Sequence, residues 1–486
     1  MNGKTIKSLI YSEDTRASLS NYVLKYNFTK DNSNRLVKLI NDSPNFPIEA
    51  WLYYEDKVRP RFNSTCAVFP MANNVRVHNE NWQLQDTSYG EIQLFGSYLD
   101  DRDSDTMNPS IRILGLMKTS FIGKLYCQIW YKHQLYPIIT PIYESLILWN
   151  PQWRMIPKNM LNAYLFSCKI PNIYKKYVPF SVSLVEHECD IASNNLNVIY
   201  KKTIYDKNNF AVCVKGLSIT DSSYSVKMVE WLELLFILGV EKVYIYEYEL
   251  TSTIRNVLDY YEKQSKVKVH KLHLPKNYQS IQGFHNKIIN ENSIEKLFLE
   301  MIPYNDCFYK NMYNYKYIVL LDFDEIIVSR KFDNWSQLVT NSLKQISYQN
   351  RTVNTPTTLC ARNVYFFKED NLTNQAPNFM QMLQRRHRST LYSSPGDFVK
   401  CFHDTNQTLS LHNHFPFNCL KKCYFYIFNV ELAQLNHYRD ECQPPTDKNS
   451  CDKYYKSNLT EDDIVWKYKD NLINNTIQVL STLGFF

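Results

Sequence analysis

Two carboxylates, Asp322 and Asp324, directly follow a run of five apolar or aromatic residues, Tyr317–Leu321. Such a run predicts a strand buried on both faces, and ligands of open α/β sheets bind at the carboxyl ends of these strands. Residues two apart in a strand point to the same side, so both carboxylates can face one ion. Hard cations such as Mg²⁺ and Mn²⁺ take oxygen ligands and share them with substrate phosphates. The pattern therefore predicts a divalent-cation site for phosphate chemistry, although a solvated turn gives the same triplet.

Strand and helix patterns alternate along the chain from Phe210 up to this pair. A stripe of apolar residues predicts a helix over Ser225–Leu238, and a further helix, interrupted near Pro303, is predicted within Ile294–Tyr313. Alternation at this spacing predicts an α/β fold with a parallel sheet covered on both faces. The other predicted elements are strands at Phe210–Val214, Val243–Tyr246 and Val267–Leu272, and a helix that runs from a Thr251 or Ser252 cap to Tyr261.

The order of the patterns predicts four regions. Residues 1–60 are polar and rich in asparagine, which is typical of a stem or a loosely packed lead-in. In residues 61–204 short apolar segments alternate with turns, which predicts a β-rich domain. Residues 205–445 form the predicted α/β domain, and residues 446–486 a helical tail. The apolar segments of the β-rich domain are Ile113–Met117, Lys124–Tyr131, Tyr164–Ile170 and Phe180–Val185.

Composition and motifs exclude several classes of protein. With 486 residues and 44% hydrophobic residues, the chain is long and apolar enough for two or three folded domains. The net charge of +7 is spread over mixed acidic and basic residues, so no nucleic-acid partner is expected. Neither a Gly-x-Gly-x-x-Gly nor a Gly-x-Ser-x-Gly motif occurs, which argues against a dinucleotide site and a serine hydrolase.

Cysteines and glycosylation motifs favour the secretory route. The twelve cysteines include no C-x-x-C pair, so a zinc ribbon is not expected, and the even count permits disulfides. Two close pairs, Cys419 with Cys423 and Cys442 with Cys451, could close local loops. No apolar run reaches about 18 residues, so no transmembrane helix is predicted, and the polar start lacks a signal-peptide core. Either the chain is soluble or its natural N-terminus lies beyond this sequence. The nine Asn-x-Ser/Thr motifs begin at Asn27, Asn41, Asn63, Asn334, Asn350, Asn371, Asn406, Asn458 and Asn474.

Four ordered stretches resemble glycosyltransferase family 92. The resemblance implies a GT-A type fold and a metal-dependent, inverting transfer of galactose from UDP-galactose with Mn²⁺ or Mg²⁺. It also implies a glycan acceptor such as the core fucose of glycoprotein N-glycans, and a type II membrane protein of the Golgi lumen whose anchor is missing from this chain. The stretches are Val212–Lys215 with Trp231–Glu233 and Leu238–Tyr246; Asn305–Cys307 with Tyr317–Val328; Lys400–Cys401 with Leu411–His412; and Asn436–Arg439.

The resemblance carries over a set of metal ligands. Asp322 and Asp324 are the expected ligands of the ion, and Glu325 orients them or is a solvated residue. GT-A enzymes often add a histidine near the C-terminus. His412, at the end of an apolar strand, is the candidate. His414 follows two residues later and would point to the same side of an extended chain. The alternative for either histidine is a structural role.

Donor binding and proton transfer need further residues. Lys215, Lys400, Asp306 and Arg439 lie in the stretches that carry the resemblance and are expected to bind the donor. Asp306 could instead cap a helix end, and His437–Arg439 could be a surface loop rather than a clamp on the diphosphate. Inversion needs a general base. The candidates, each of which could also be an ordinary loop carboxylate, are Glu369, Asp370 and Asp397.

Departures from the family pattern leave the donor sugar less secure. Ser329 stands where the family's acidic motif usually ends in proline, and Glu300 and Pro303 stand where glutamine and alanine are expected. A non-catalytic glycan-binding or scaffold protein of the same fold is the alternative function. A glycoside hydrolase is disfavoured, because its two carboxylates flank a sugar about 5–10 Å apart, whereas those at i and i+2 converge.

Overall fold

The computed structural model describes residues 45–54, 64–70, 74–102, 109–118, 123–132, 134–150, 160–202, 207, 209–278, 280–284, 294–349, 355–369, 372–440 and 448–486. Within these ranges no helix has the length and apolar character needed to cross a membrane.

The N-terminal region is built on one eight-stranded sheet, in the order β1-β2-β3-β6-β5-β4-β7-β8. An additional pairing of β2 with β8 closes the sheet on itself, which agrees with the predicted β-rich domain. Helix α1 (Ile48–Tyr53) packs beside it, with Trp51 and Tyr54 in a buried cluster around Trp130. The strands are β1 (Gln83–Thr87), β2 (Gly90–Asp100), β3 (Ser110–Met117), β4 (Tyr126–Trp130), β5 (Ile138–Ile147), β6 (Asn162–Lys169), β7 (Ser181–Val185) and β8 (Leu196–Ile199).

The second region contains the predicted α/β sheet. Seven strands lie in the order β11-β10-β9-β12-β17-β14-β20. The first four are parallel, while β17 runs antiparallel to both of its neighbours, so the sheet is mixed and mainly parallel. The strands are β9 (Phe210–Ile219), β10 (Val240–Leu250), β11 (Val267–Lys271), β12 (Tyr317–Leu320), β14 (Thr358–Ala361), β17 (Lys400–Asp404) and β20 (Phe425–Ile427).

The predicted helices of this region are present. Helix α2 (Tyr224–Ile237) ends before Gly239, whose φ of 95° suits glycine at a helix end. Helix α3 (Ser252–Lys263) is capped by Thr251, whose side chain accepts a hydrogen bond from the backbone of Ile254. The other α-helices of the described residues are α4 (Glu295–Asn311), α5 (Trp335–Gln349), α6 (Gln381–Gln384), α7 (Lys448–Tyr455) and α8 (Lys469–Thr482).

Helix α4 corrects one prediction, because it is continuous through Pro303. Proline removes only the bond to the carbonyl four residues earlier, and packing can outweigh that loss. Here Leu299, Met301 and Ile302 are buried next to the proline, and the Cys213–Cys307 disulfide ties the helix to β9. The sequence signal for an interruption was therefore overruled by tertiary contacts.

A smaller five-stranded sheet, in the order β13-β21-β15-β16-β22, completes the region behind the end of β12. Its strand β21 contains His437–Arg439, so these residues are not a surface loop. A two-stranded hairpin pairs β18 with β19. The strands are β13 (Glu325–Ser329), β15 (Asn363–Phe367), β16 (His387–Ser389), β18 (Thr408–Leu411), β19 (Pro416–Cys419), β21 (Ala433–Arg439) and β22 (Leu459–Glu461).

The two regions share a hydrophobic core. Trp82, Phe95 and Tyr98 of the N-terminal sheet pack in one cluster with Tyr244 and Tyr246 of β10 and with the buried face of α4. Five disulfides form, including the predicted local pair Cys419–Cys423. The second local pair cannot be followed, because Cys442 and the Cys451 side chain lie outside the described residues. The other four disulfides are Cys66–Cys189, Cys127–Cys168, Cys213–Cys307 and Cys360–Cys401.

Candidate active site

Asp322 and Asp324 lie in the short turn that joins β12 to β13. The strand ends at Leu320, so the same-side geometry of a strand does not apply to the pair, contrary to the sequence-based argument. The turn nevertheless leaves both side chains partly open, with exposed fractions of 21% for Asp322 and 29% for Asp324. Phe323, between them, packs edge-on against Tyr224 at the start of α2. The carboxylates therefore stand at the carboxyl end of a buried strand, as predicted, but are positioned by a turn.

Two lysines hold Asp322 in its charged form. The Lys215 ammonium in the middle of β9 is 3.2 Å from Oδ1, and the Lys400 ammonium at the start of β17 is 3.7 Å from Oδ2. Burial alone would raise the pKa of Asp322, but these two cations outweigh it and hold the pKa well below its usual range. The backbone N–H of Asp322 donates a hydrogen bond to Glu325 at 3.0 Å. Asp322 is therefore ionised at neutral pH.

Each lysine is shared with a second carboxylate. Lys215 contacts Glu300 of α4 at 3.2 Å, and Lys400 contacts Glu325 at 3.1 Å. Burial alone would lower the pKa of Lys215, but Asp322 and Glu300 together raise it. The Lys400 side chain is completely buried and also donates to the Asn413 carbonyl oxygen at 2.6 Å. Lys215 is 21% exposed and can reach a ligand, whereas Lys400 neutralises charge beneath the turn.

His437 joins the group from the opposite strand. In the pairing of β13 with β21, Glu325 stands across from His437, which brings His437 Nε2 to 3.3 Å from Asp324 Oδ2. The Arg439 guanidinium lies 2.9 Å from the same Nε2, and His437 Nδ1 lies 3.2 Å from the side-chain oxygen of Asn363. Burial would raise the pKa of Asp324, but His437 outweighs it and lowers the pKa.

The donor set fits a hard divalent cation. The group contains four carboxylates, on Asp322, Asp324, Glu325 and Glu300, against the fixed cations Lys215, Lys400 and Arg439. Among the described residues only His437 lies within ion-pair distance of Asp324, so this oxygen pair is the most available to an ion. In the described ranges no three His, Cys, Asp or Glu side chains lie close enough to hold a metal ion by themselves, so an ion here would need ligands from substrate or water. Mg²⁺ and Mn²⁺ commonly complete their coordination with substrate phosphates and water.

His412 and His414 follow β18 and lie behind Lys400. The His412 ring packs 5.7 Å from Trp149 of the N-terminal region and 5.2 Å from Phe415, and His414 Nδ1 is 3.1 Å from the Val399 carbonyl. Burial first, and then Lys400, lowers the pKa of His412 to about 4 and holds that of His414 well below its usual value. Both histidines are therefore neutral, which a metal ligand must be. Their assignment as ligands stays a prediction.

Asp306 lies in a different, closed network. Its carboxylate accepts hydrogen bonds from the hydroxyls of Tyr98 and Tyr246 and is 2.7 Å from the Lys310 ammonium. Burial and the charge of Asp306 raise the pKa of both tyrosines far above their usual value. These partners join α4 to both sheets, and none of them belongs to the group around Asp322. A contact of Asp306 with the donor stays a prediction.

The two described general-base candidates, Glu369 and Asp397, show no hydrogen bond or ion pair with this group. Glu369 accepts hydrogen bonds from the backbone N–H groups of Arg386 and His387 and pairs with the His387 ring at 2.9 Å. Asp397 is exposed in a turn, where its N–H donates to the Ser394 carbonyl. Asp370 lies outside the described residues. The identity of the base stays a prediction.

Sequence reasoning missed two functional contacts. The contact of His437 with Asp324 depends on the pairing of β13 with β21, and nothing local in the sequence specifies which strands pair. Glu300 was noted only as a departure from the family, yet it pairs with Lys215. Its signal was present, because a glutamate within an otherwise apolar stretch of a buried helix needs a cationic partner.

Comparisons with known proteins identify one family. The model of glycosyltransferase family 92 matches residues 208–476, and no curated protein sequence matches the chain. Among solved structures, the WbbM bifunctional glycosyltransferase is 9% identical with a TM-score of 0.18, covering 35% of this chain and 26% of that one. Residues 1–349 of S. aureus TarS are 13% identical with a TM-score of 0.23, covering 57% of this chain and 72% of that one. These two likenesses are too weak to carry an argument.

Proposed function

This chain belongs to glycosyltransferase family 92, and we propose that it is a metal-dependent, inverting β-galactosyltransferase that uses UDP-galactose. The proposed acceptor is a glycan, such as the core fucose of a glycoprotein N-glycan, and the proposed fold of the α/β region is of the GT-A type. The observation that carries the proposal is the turn at Asp322 and Asp324, which stands at a strand end with Lys215 and His437 beside it.

The proposed reaction breaks the bond between the sugar's anomeric carbon and the diphosphate of UDP. The acceptor hydroxyl oxygen attacks this carbon from the opposite face, its proton passes to a general base, and the electron pair of the broken bond leaves with UDP. Glu369, Asp370 and Asp397 stay the candidates for the base. A bound Mn²⁺ or Mg²⁺ supplies charge stabilisation for the leaving diphosphate.

The chain's own residues divide the remaining work. Asp324 and Asp322 would hold the ion, with Asp324 the more available because its only ion-pair partner among the described residues is a histidine. Lys215, partly exposed, would donate to a phosphate oxygen, while Lys400 pairs with Asp322 and Glu325 from beneath. Arg439 would bind the diphosphate from the far side, next to His437. This arrangement supports stabilisation of a leaving diphosphate without proton transfer to it.

The third protein ligand has two candidate sources. Sequence reasoning favours His412, with His414 as its neighbour. The contact of His437 Nε2 with Asp324 at 3.3 Å adds His437, because that distance separates two ligand atoms that can bind one ion. Arg439 donates to the same nitrogen, and it would have to release it before an ion could bind there.

A donor screen tests the proposal. Purified full-length chain is incubated with Mn²⁺, a fucosylated N-glycan and a panel of nucleotide sugars, and free UDP and product mass are measured. UDP-galactose should give the largest release, excess EDTA should abolish it, and added Mn²⁺ should restore it. Full activity in EDTA overturns metal dependence. Glycan binding without turnover of any donor would favour the non-catalytic alternative.

We also propose that the protein works in the Golgi lumen, which the disulfides and the glycosylation motifs support. Expression in a secretory host should give a glycosidase-sensitive mass shift and the disulfides in non-reducing mass spectrometry. Asn474 is exposed on α8 and should be modified, whereas Asn334 accepts a hydrogen bond from Gln337 at the start of α5 and should be modified less. A fully reduced, unglycosylated product would contradict the compartment.

A further inference from the structure

A cavity of about 200 Å³ lies where the N-terminal region meets β11, the edge strand of the large sheet. The residues that matter for its chemistry are Asn45, Tyr246, Lys268, His270, Lys271 and Lys310. No member of the group around Asp322 lines it. The cavity is therefore a separate feature of the molecule.

Positive charge dominates this cavity. Lys310 is neutralised by Asp306 at 2.7 Å and Lys268 by Glu262 at 3.2 Å, and Glu262 is shared with Arg255. The Lys271 ammonium pairs with no carboxylate in the described part of the chain. Glu80, the carboxylate that lines the cavity, is paired with His273 at 2.9 Å. The cavity thus has more cations than carboxylates to neutralise them.

The same excess of positive charge affects the pKa of His270, whose ring lines the cavity. It stacks on Tyr246 with ring centroids 5.1 Å apart. Burial first, and then the ammonium groups of Lys310 and Lys268, hold the pKa of His270 well below its usual value. His270 is therefore a neutral imidazole whose N–H can donate a hydrogen bond, beside lysines that attract an anion.

A buried acceptor supplies an independent observation. Asn45 is only 3% exposed, and its side-chain carbonyl oxygen accepts no hydrogen bond from the part of the chain that the structure describes, while its amide nitrogen donates to the Phe95 carbonyl. A buried polar atom left without a partner is unfavourable, so a ligand hydroxyl that reaches it and donates to it would be bound favourably. The aromatic pair of Tyr246 and His270 offers a flat wall of the kind that sugar rings pack against.

We propose that this cavity binds one small hydroxyl-bearing oxyanion, in the form of a single acidic sugar unit whose carboxylate or sulfate pairs with Lys271 and Lys268. The volume supports a small ligand, because sites for drug-sized molecules measure about 300–1,000 Å³. The hydroxyls of the sugar would donate to Asn45. The inference is independent of which donor the transferase uses.

Calorimetry on the full chain, without nucleotide, tests the proposal with three probes: glucuronate, its neutral counterpart glucose, and inorganic sulfate. Glucuronate should bind, should weaken as salt is added, and should bind at least 10-fold more tightly than glucose. Lys271→Gln should weaken glucuronate binding about 5-fold or more. Lys263→Gln, which removes an exposed lysine of α3 outside the cavity, is the matched control and should leave binding unchanged.

Three other results would contradict the proposal, each in a different part. Sulfate binding as tightly as glucuronate, with the same dependence on Lys271, would keep the oxyanion site but overturn the sugar. Absence of binding by both anions, or equal weakening in Lys263→Gln, would overturn the site. Displacement of glucuronate by UDP with Mn²⁺ would show that the cavity is part of the donor site, and so would overturn its independence.

Discussion

Helix α4 contributes to two groups of carboxylates that differ in what surrounds them. Glu300 faces Lys215 and the open turn at Asp322, where the partners are ammonium groups and an imidazole. Asp306, further along the helix, faces two tyrosine hydroxyls and Lys310, and its side chain is completely buried. The first group keeps charge within reach of a ligand. The second group joins the two regions of the molecule through hydrogen bonds and an ion pair to one buried carboxylate.

The difference shows how one helix can serve structure and chemistry at once. Glu300 and Asp306 lie on either side of Pro303, and the Cys213–Cys307 disulfide next to Asp306 fixes the helix to the strand that carries Lys215. A closed loop of this separation, 94 residues, limits the unfolded chain and stabilises the fold by about 4–5 kcal/mol in the chain-entropy model. The disulfide at Cys307 thereby helps to position Glu300, the residue of α4 that contributes to the candidate site.

Of the substitutions that test this comparison, Lys400→Met should have the largest effect. Removing the buried ammonium leaves Asp322 and Glu325 with one fewer cation, and breaking a buried ion pair from one side costs about 3–5 kcal/mol. Urea denaturation should show a loss of that size in the free energy of unfolding. Lys215→Met, at a partly exposed lysine, is the control and should cost less. Equal losses would mean that Lys400 is not the buried neutraliser.

Asp324→Asn should separate chemistry from stability. It removes charge from the more available carboxylate and should lower the transfer rate by about 10²–10³-fold, as expected for lost electrostatic stabilisation. Asp306→Asn is the matched substitution in the closed group. It should cost about 1–3 kcal/mol of stability, because one buried hydrogen-bond partner is left unsatisfied, while the rate at saturating substrate stays the same. Steady-state kinetics and denaturation on both variants decide the matter, and a reversed pattern would refute the division of roles.

Histidine variants sharpen the metal assignment. If His437 is the third ligand, His437→Gln should raise the Mn²⁺ concentration for half-maximal activity about 10-fold or more, at least the effect of losing a residue that only supports a ligand. His412→Ala and His414→Ala test the sequence-based assignment in the same assay. A change in only one of the three variants identifies the ligand, and no change in any of them rules out a histidine ligand from this set.

The smallest expected effect concerns Glu230, a buried carboxylate of α2 that accepts a hydrogen bond from the backbone N–H of Met382. Burial raises its pKa from 4.5 to about 8, against the lowering effect of nearby backbone N–H groups. Between these values the folded protein holds a proton that the unfolded chain releases, so stability falls as pH rises. From pH 6 to pH 7 the wild type should lose about 1 kcal/mol more than Glu230→Gln. Parallel pH profiles would contradict the shift.

The sequence predicted the individual strands and helices well, but it predicted the contacts between them poorly. Apolar periodicity located β9, β10, β11 and β12 and helices α2 and α3 within a few residues, because strand and helix patterns are local. The continuous α4 was missed, because the cost of Pro303 is visible in the sequence and the packing that outweighs it is not.

The candidate site was predictable only in part, for the same reason. Asp322, Asp324, Lys215 and Lys400 were all named, and the structure brings them together. The turn that presents the two aspartates and the approach of His437 depend on β13 pairing with β21, a contact between distant segments. Glu369 was also named, as a candidate base downstream of Asp322 and Asp324, but the structure does not bring it to the site. Its carboxylate instead accepts hydrogen bonds from the backbone N–H groups of Arg386 and His387.

The shared core has a practical consequence for truncation. The family match begins at residue 208, which invites expression of the α/β region alone. A cut there would expose Tyr244 and Tyr246 to water, remove the Tyr98 hydroxyl from Asp306, and leave the carbonyls of His273 and Thr405 without their donors Trp82 and Arg102. The segment that the family model matches is therefore smaller than the segment needed to keep this core buried.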